Sequence, residues 1–525
     1  MTPDLTAHGA HPRWPAVARL RHLLALEVRL QWRYRVVAVV GLLALCWSSV
    51  LLVLPQAVAR SVAPWVLVLE TAVAGTTVAG ALMIMERERG MRAAFTVTPA
   101  RPVERLAARV GFVSGVVLGG AVPVALAGRP AGVGGLVAVL TGVGLTALLT
   151  TLVAVAVAAG RESVLTFMIM LPLVLLPLVA PALVRAGGVA DPLLRAVPTA
   201  WAMDVVRAGY GMPAGAPGWS GWWSAGGFLL ACVVAGRVAR YRIRGEAGAT
   251  RVPRPPAGPP PAEPSHPAAP IPVARSGARR RRPVRSLLRT DLATARHDPL
   301  LALIGASPLL LALALRFGYP PVRSWLAMTS GFDLAPYRPL LLAVAVTLHL
   351  PVVFGIIGAL LVLDEADSGA LAALRVSPLS VPGYLCYRAA LVAAATAVGL
   401  AVALPLSGLA PPGGAAALAP AAAVAVLMAP LVTAGTLALA ANKVEGVGVA
   451  KLLGAPLYLP VAGWWVSGPA GWLFSPLPTW WLLEAQWAAP AASAAGYAAG
   501  GVAVTAAVLV LVGRRAVARW RAPTS

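Results

Sequence analysis

The sequence has few charged residues and little of what builds a catalytic or metal centre. Only 12% of its 525 residues are charged, and it contains six histidines and three cysteines. Soluble domains carry about 25% charged residues, so this composition excludes a water-soluble globular enzyme. The 59% of hydrophobic residues also excludes disorder over most of the chain. The cysteines lie in or beside apolar runs, so neither a disulfide framework nor a metal site is expected.

Long apolar runs are what the sequence has instead. Twelve of them supply the roughly 20 residues that a membrane-spanning helix needs, in two groups of six. Arginines running through Arg35, and the length of the first run, argue against a cleavable signal peptide. We therefore predict an all-α polytopic membrane protein with twelve transmembrane helices. The predicted spans are 36–55, 64–85, 106–128, 131–160, 163–184, 219–237, 299–316, 339–363, 385–410, 414–441, 446–466 and 491–513.

The charge that is present is strongly one-sided. The 43 basic residues outnumber the 19 acidic ones, for a formal net charge of +24. In a soluble chain this would suggest a nucleic-acid partner, but membrane proteins keep Lys and Arg on the cytoplasmic side. With the N-terminus inside, only eight of the 43 fall in outer loops. We therefore predict that both termini are cytoplasmic, and we expect no nucleic-acid partner.

A polar stretch divides the chain into two halves. Ten of the twenty residues from Pro253 to Pro272 are proline, which favours an extended spacer. The stretch ends in four arginines at 279–282, which either bind anionic lipid or serve only as a topology anchor. We favour the anchor. The predicted domains are a first repeat at 1–240, a linker at 241–284 and a second repeat at 285–525.

The two halves match each other in order along the chain. Residues 86–99 match residues 365–378 at a constant offset of 279, sharing acids, a Gly, an Ala pair, a Val, a hydroxyl residue and a Pro. Because each half has an even number of predicted spans, the repeats share one orientation, with a pseudo-axis along the membrane normal. Further matches join Arg109 to Arg388, Pro198-Thr-x-Trp-x-x-Asp204 to Pro478-Thr-x-Trp-x-x-Glu484, and, more weakly, Glu27 to Asp291, Glu162 to Glu445 and Pro177 to Pro460.

Each half opens with an amphipathic stretch, at residues 14–35 and 285–298, where leucines alternate with arginines. Such segments can lie in the plane of the membrane interface. The alternative is a plain cytoplasmic extension of the first helix. We favour the interfacial position for both.

In these features the sequence resembles the ABC-2 type permeases, membrane subunits of ABC exporters related to the ABCG and ABCA subfamilies, and most of all their bacterial drug and antibiotic exporters. That family has an interfacial elbow helix, six spans, a charged cytoplasmic turn after span two, and short outer helices between spans five and six. The short outer helices would lie at 185–218 and 467–490. The residues that carry the resemblance are Glu86, Arg87, Glu88, Arg89 and Gly90 with Thr98-Pro99, and Asp364, Glu365, Asp367 and Gly369 with Ser377-Pro378.

The resemblance implies that these turns are coupling helices seated in a groove of an ATPase subunit. The alternative is that their mixed charges merely solvate a cytoplasmic loop, and the repetition favours coupling. A second, smaller contact is expected at Arg161 and Glu162 and at Lys443 and Glu445, unless these are simply helix-end charges.

The ATPase itself is missing from the sequence. A Walker A motif needs Gly-Lys-Ser/Thr, but Lys443 is followed by Val444 and Lys451 by Leu452, and these are the two lysines of the chain. The chain is therefore expected to have no catalytic residue and no cofactor of its own. ATP and Mg²⁺ would be bound by two copies of a separate P-loop ATPase in a bacterial plasma membrane.

Two ionisable residues inside predicted spans are pathway candidates, because such groups are costly in a bilayer. Glu70 lies 15 residues before Met85, about 22 Å along a helix, and His349 matches it at the offset of 279. The functional hypothesis is that they face each other across the pseudo-axis at an outer gate. The alternative is that each is satisfied by its own neighbouring helix.

Tryptophan is concentrated near the predicted outer surface. An aromatic vestibule for apolar ligands is one interpretation, and an interfacial belt is the one we favour. In the repeated Pro-Thr-x-Trp motif, Asp204 and Glu484 are expected to fix the outer helices. The tryptophans concerned are Trp201, Trp219, Trp222, Trp223, Trp464, Trp465, Trp472, Trp480, Trp481 and Trp487.

Together these features predict an exporter permease that moves an amphipathic or hydrophobic drug, antibiotic, peptide or lipid outward. The main alternative is a twelve-span proton-coupled carrier, but the turn after span two lacks a Gly-x3-Asp-Arg-x-Gly-Arg-like signature. A membrane enzyme acting on lipids is disfavoured by the thin inventory of histidines and acids.

Overall fold

The computed structural model is helical and has no strand over the residues that it describes. The described residues are 16–33, 36–88, 101–161, 163–187, 194, 196–213, 219–249, 287–289, 291, 293, 297–369, 380–411, 413–466, 468–488 and 491–521. The prediction of an all-α membrane protein is therefore confirmed.

The first half contains eight described helices. They begin with the amphipathic helix and end with one that continues past the last predicted span. They are α1 (Ala16–Arg33), α2 (Val36–Val53), α3 (Gln56–Glu88), α4 (Pro102–Ala127), α5 (Gly132–Ala158), α6 (Val164–Ala186), α7 (Pro198–Gly209) and α8 (Trp219–Ala249).

The second half contains seven described helices. The second of them includes a π-helical segment, Ala343–Leu348, and the fifth continues as a 3-10 segment, Leu459–Trp464. The helices are α9 (Pro299–Ser330), α10 (Ala335–Asp367), α11 (Val381–Leu406), α12 (Ala419–Leu439), α13 (Lys443–Tyr458), α14 (Pro478–Trp487) and α15 (Ala491–Arg521).

Among the described residues, nine helices are long and apolar enough to cross a bilayer, or ten if α1 and α2, which meet at 66°, count as one broken span. Helices α3 and α8 cover the other two predicted spans but do not belong to this set. The structure thus supports a multi-pass chain, and the count of twelve stays a prediction.

Capping side chains fix the residue at which three of the helices begin. Ser163 accepts a hydrogen bond from the Leu165 amide at the start of α6, and Ser380 accepts one from the Gly383 amide at the start of α11. At the start of α13, the Asn442 side chain accepts hydrogen bonds from the amides of Val444 and Glu445, at 3.1 and 3.0 Å. Such oxygens satisfy amides that have no partner within the helix. The loops before α6 and α13 are thereby held at one end of the bundle.

Glycine permits close helix contact in both halves. A Cβ on Gly142 in α5 would lie 2.5 Å from the carbonyl oxygen of Ala202 in α7, and one on Gly355 in α10 would lie 2.6 Å from that of Ala429 in α12. The hydroxyl of Thr433 also donates to the Gly355 carbonyl at 2.9 Å. Small residues and hydroxyl groups are what helix contacts inside a membrane require, because lipid gives no hydrophobic drive for association.

The two halves contact each other through α13, which packs against α2 and α3. Val444 at the start of α13 joins a buried apolar cluster whose other members lie on α2 and α3; they are Val36, Val40, Leu82 and Met85. The start of α13, where the sequence predicts the smaller coupling contact, is therefore part of the contact between the halves.

Candidate functional site

A buried three-residue ion cluster joins α1, α3 and α4. The Arg109 guanidinium of α4 donates to Glu27 of α1 through Nη2 at 2.9 Å and through Nε at 3.0 Å. The same guanidinium also binds Glu86 at the end of α3. All three side chains are about nine-tenths buried. This first triad therefore links the amphipathic helix to the last turn of predicted span two.

A second triad in the other half joins Asp291, Glu365 and Arg388. The Arg388 guanidinium of α11 donates to Asp291 at 3.1 Å and to Glu365 of α10. Two tyrosines extend it: the Tyr387 hydroxyl donates to Asp291 at 2.5 Å, and the Tyr384 hydroxyl donates to Glu365. The carboxylates are more exposed than in the first triad, at 26% for Asp291 and 32% for Glu365.

The two triads use residues that match between the repeats. Sequence comparison pairs these positions but does not indicate that the three members of each set touch. One available signal is that acid and arginine are separated by 23 residues in both halves. The matched members are Glu27 with Asp291, Glu86 with Glu365, and Arg109 with Arg388.

The charged turns predicted to couple to the ATPase are only partly described. Glu86 and Glu365 point inward into the triads. Gly369 has φ +77°, a left-handed conformation that favours glycine and allows a tight turn after α10. Arg89, Gly90 and the side chain of Glu88 lie outside the described residues, as does Glu162.

The two predicted coupling sites lie next to each other in each half. In the first half, Arg87 Nη1 donates to the carbonyl oxygen of Arg161 at 2.8 Å. In the second half, the Lys443 ammonium donates to Asp364 at 2.7 Å, and the Lys443 amide donates to Asp367 at 3.0 Å. In each half, the end of predicted span two therefore lies beside the loop before predicted span five.

Where the end of α10 meets the start of α13, the acidic side chain of Asp364 is exposed and the basic side chain of Lys443 is mostly buried. The Asp364 side chain is 60% exposed, whereas that of Lys443 is 12% exposed. Asp367 and Gly369 are also exposed, while the Glu445 side chain accepts a hydrogen bond from the Ala441 amide at 2.8 Å. A partner that binds here would meet mainly the two aspartates.

The pathway candidate Glu70 faces a small cleft between α2, α3 and α4. Both of its carboxylate oxygens are buried and have no hydrogen-bond partner among the described residues. The cleft is lined by apolar side chains and one hydroxyl, from Val40, Leu67, Thr71, Val117 and Ala121. An unpartnered carboxylate inside a span is costly, so a bound proton or cation would stabilise Glu70.

The other candidate, His349, lies beside α13 instead. Its Nδ1 is 3.3 Å from the hydroxyl of Tyr458. Glu70 and His349 thus have different neighbours: Glu70 within the first half and His349 within the second.

At the end of the bundle opposite the triads lie α7 and α14; the arginine distribution predicts this to be the outer end. Asp204 of α7 accepts hydrogen bonds from Arg185, including one from Nε at 2.9 Å. Arg207 donates to the carbonyl oxygens of Arg185 and Ala186 at 2.9 and 2.8 Å. Asp204 and Arg207 therefore tie α7 to the end of α6.

The described residues contain no group of three or more His, Cys, Asp or Glu that is placed to hold a metal ion. Their charges instead form ion pairs that tie helices together at both ends of the bundle. This arrangement suits the transmission of movement between helices.

The chain is similar in sequence to proteins that are named as export permeases. A family model described as fluoroquinolones export permease protein Rv2686c-like matches residues 291–513. Two relatives from Mycobacterium tuberculosis carry the names fluoroquinolones export permease protein MT2760 (strain CDC 1551 / Oshkosh) and Rv2686c (strain ATCC 25618 / H37Rv). Each is 32% identical over 202 residues, which is 38% of this chain and 80% of the relative.

Proposed function

Since this chain belongs to the Rv2686c-like family of export permeases, we propose that it is the transmembrane part of an ATP-driven ABC exporter, with two permease repeats fused in one polypeptide. The observation that carries the proposal is the pair of triads. Each joins the end of predicted span two to the start of span three and to the amphipathic segment before span one. A push on the cytoplasmic turn would therefore move three elements of one half together.

The energy would come from two copies of a separate P-loop ATPase, one beneath each half. ATP and Mg²⁺ would be bound there. Charged residues at a protein interface fix register and partner choice, and the exposed Asp364 and Asp367 suit that role. Closure of the ATPase pair would press on both turns, and the triads would pass the movement to spans one to three.

The substrate class is an amphipathic or hydrophobic small molecule moved outward. The relatives' names support a fluoroquinolone, and an apolar path would also suit other drugs, peptides or lipids. Membrane lipid surrounds the bundle and is the expected environment of α1, whose Val17 and Trp32 are 78% and 74% exposed.

Measuring export against the energy source tests this proposal. Inverted membrane vesicles that contain the chain and its ATPase partner are expected to accumulate norfloxacin, a fluoroquinolone, on addition of ATP. Vanadate should abolish this uptake and a proton uncoupler should leave most of it. Uptake that collapses with the uncoupler and resists vanadate would instead identify a proton-coupled carrier.

Neutral replacements test the two pathway candidates. We expect Glu70→Gln and His349→Gln each to lower ATP-driven norfloxacin uptake by about tenfold, the effect of about 1.4 kcal/mol on the barrier. Ser49→Ala is the matched control, because the Ser49 hydroxyl bonds only its own helix, to the Leu45 carbonyl at 2.8 Å. Wild-type uptake and substrate preference in both variants would remove Glu70 and His349 from the pathway.

A further inference from the structure

The short helices α7 and α14 match between the repeats but differ in how their acid is neutralised. In α7, Asp204 pairs with Arg185, and Arg207 ties the helix to the end of α6. In α14 the matched positions are Glu484 and, at Arg207's place, Trp487. The second half has thus kept the carboxylate and replaced a neighbouring cation by an aromatic ring.

Glu484 is not neutralised by any group that the structure describes. It forms no ion pair with another described residue, and burial raises the pKa of its carboxyl. A half-buried carboxylate without a cation is costly when ionised. Its counterpart Asp204 shows how the same position is satisfied when an arginine is available.

Aromatic rings flank Glu484 on its own helix. Trp480 and Trp481 lie four and three residues before it and Trp487 three residues after it, spacings that make side chains neighbours on a helix surface. Trp487 meets the ring of Trp464 at the end of the 3-10 segment, with centroids 5.0 Å apart. Trp480 and Trp481 are themselves 5.0 Å apart.

Further rings extend this group toward solvent or lipid headgroups. Trp472 lies 4.8 Å from Trp480 and is 55% exposed. On the opposite side, Tyr497 of α15 lies 5.7 Å from Trp480. The indole N–H groups of Trp480 and Trp487 are buried and have no acceptor among the described residues. The aromatic cluster is therefore exposed at Trp472, and it contains two buried indole N–H groups that have no acceptor among the described residues.

We propose that Glu484 and the tryptophans around it form a binding site for organic cations, molecules with an ammonium or iminium group on an apolar body. Aromatic faces attract cations through the ring quadrupole, and the carboxylate supplies the opposite charge. The site lies where a substrate would leave, so the inference rests on the proposed function and narrows its substrate class.

Equilibrium binding to the purified full-length chain in non-ionic detergent tests the site without ATP or the ATPase. The probes are ethidium, a permanently charged aromatic cation, and phenanthridine, its uncharged parent ring. We expect Glu484→Gln to weaken ethidium binding about tenfold and to leave phenanthridine binding nearly unchanged. Trp487→Leu should weaken the binding of both probes.

Asp333→Asn is the matched control. Asp333 is also predicted to lie at the outer end, and its only described ion pair is the exposed one with Arg323 at 3.4 Å. Ethidium binding should be unaffected by this change. Gel-filtration elution at the wild-type volume shows that each variant is folded.

Two results would overturn the proposal. One is ethidium affinity that is equal in wild type and Glu484→Gln, or lowered equally by Asp333→Asn. The other is ethidium and phenanthridine binding weakened to the same extent by Glu484→Gln, which would mean that the carboxylate does not act on the charge of the probe. Because no nucleotide is present, failure here leaves the vesicle experiment on energy source untouched, and the reverse also holds.

Discussion

Arg109→Leu is expected to lower the free energy of unfolding by about 3–5 kcal/mol, the usual cost of removing one member of a buried ion cluster. The change removes the guanidinium that binds both Glu27 and Glu86, and the side chains of these acids are only 9% and 11% exposed. Denaturant-induced unfolding in mixed micelles, followed by circular dichroism, measures the loss.

Two further variants separate loss of charge balance from loss of packing. The triple variant Glu27→Gln, Glu86→Gln, Arg109→Leu removes every charge of the first triad and should recover most of the stability. Arg388→Leu in the second triad should cost less than Arg109→Leu, because Glu365 is 32% exposed and Tyr384 also donates to it. A triple variant no more stable than Arg109→Leu would contradict this account.

Asp364→Lys is expected to detach the ATPase while leaving the fold intact. Asp364 is 60% exposed and pairs with Lys443, whose side chain is 12% exposed; because water reaches the pair at the Asp364 side, we expect it to contribute about 1 kcal/mol to stability. A lysine there places two like charges side by side at the proposed docking surface, so affinity for the ATPase should fall at least about tenfold. Pull-down of the ATPase at several concentrations measures the change.

The control for this change is Asp333→Lys. Asp333 has nearly the same exposure, 59%, and also sits in an ion pair, with Arg323. It lies at the predicted outer end, so the same charge reversal should leave ATPase binding unchanged. Equal loss of binding in both variants would mean that net charge, and not a local contact, holds the partner.

The sequence was sufficient for the all-helical class, and it paired the triad positions between the halves without indicating that the members of each triad touch. It was insufficient for side-chain direction. Glu86 was expected to face the ATPase because it stands among other charges; it faces Arg109. An acid at a helix end points to whichever cation the fold brings near, and that cation lies 23 residues away.

Two other features depended on packing that no local pattern encodes. The Lys443–Asp364 pair forms because α13 starts beside the end of α10, which only the arrangement of helices determines. Glu70 and His349 occupy matched positions, yet one faces a cleft within the first half and the other meets Tyr458. The constant offset between the repeats shows which residues are equivalent, but it does not show how far apart those residues lie in space.

The most direct test of the central claim is purification of the tagged wild-type chain from native membranes in mild detergent. The account predicts a co-eluting P-loop subunit and vanadate-sensitive ATP hydrolysis in the same fractions, both reduced by Asp364→Lys. A chain that elutes alone and without ATPase activity in several mild detergents would contradict it.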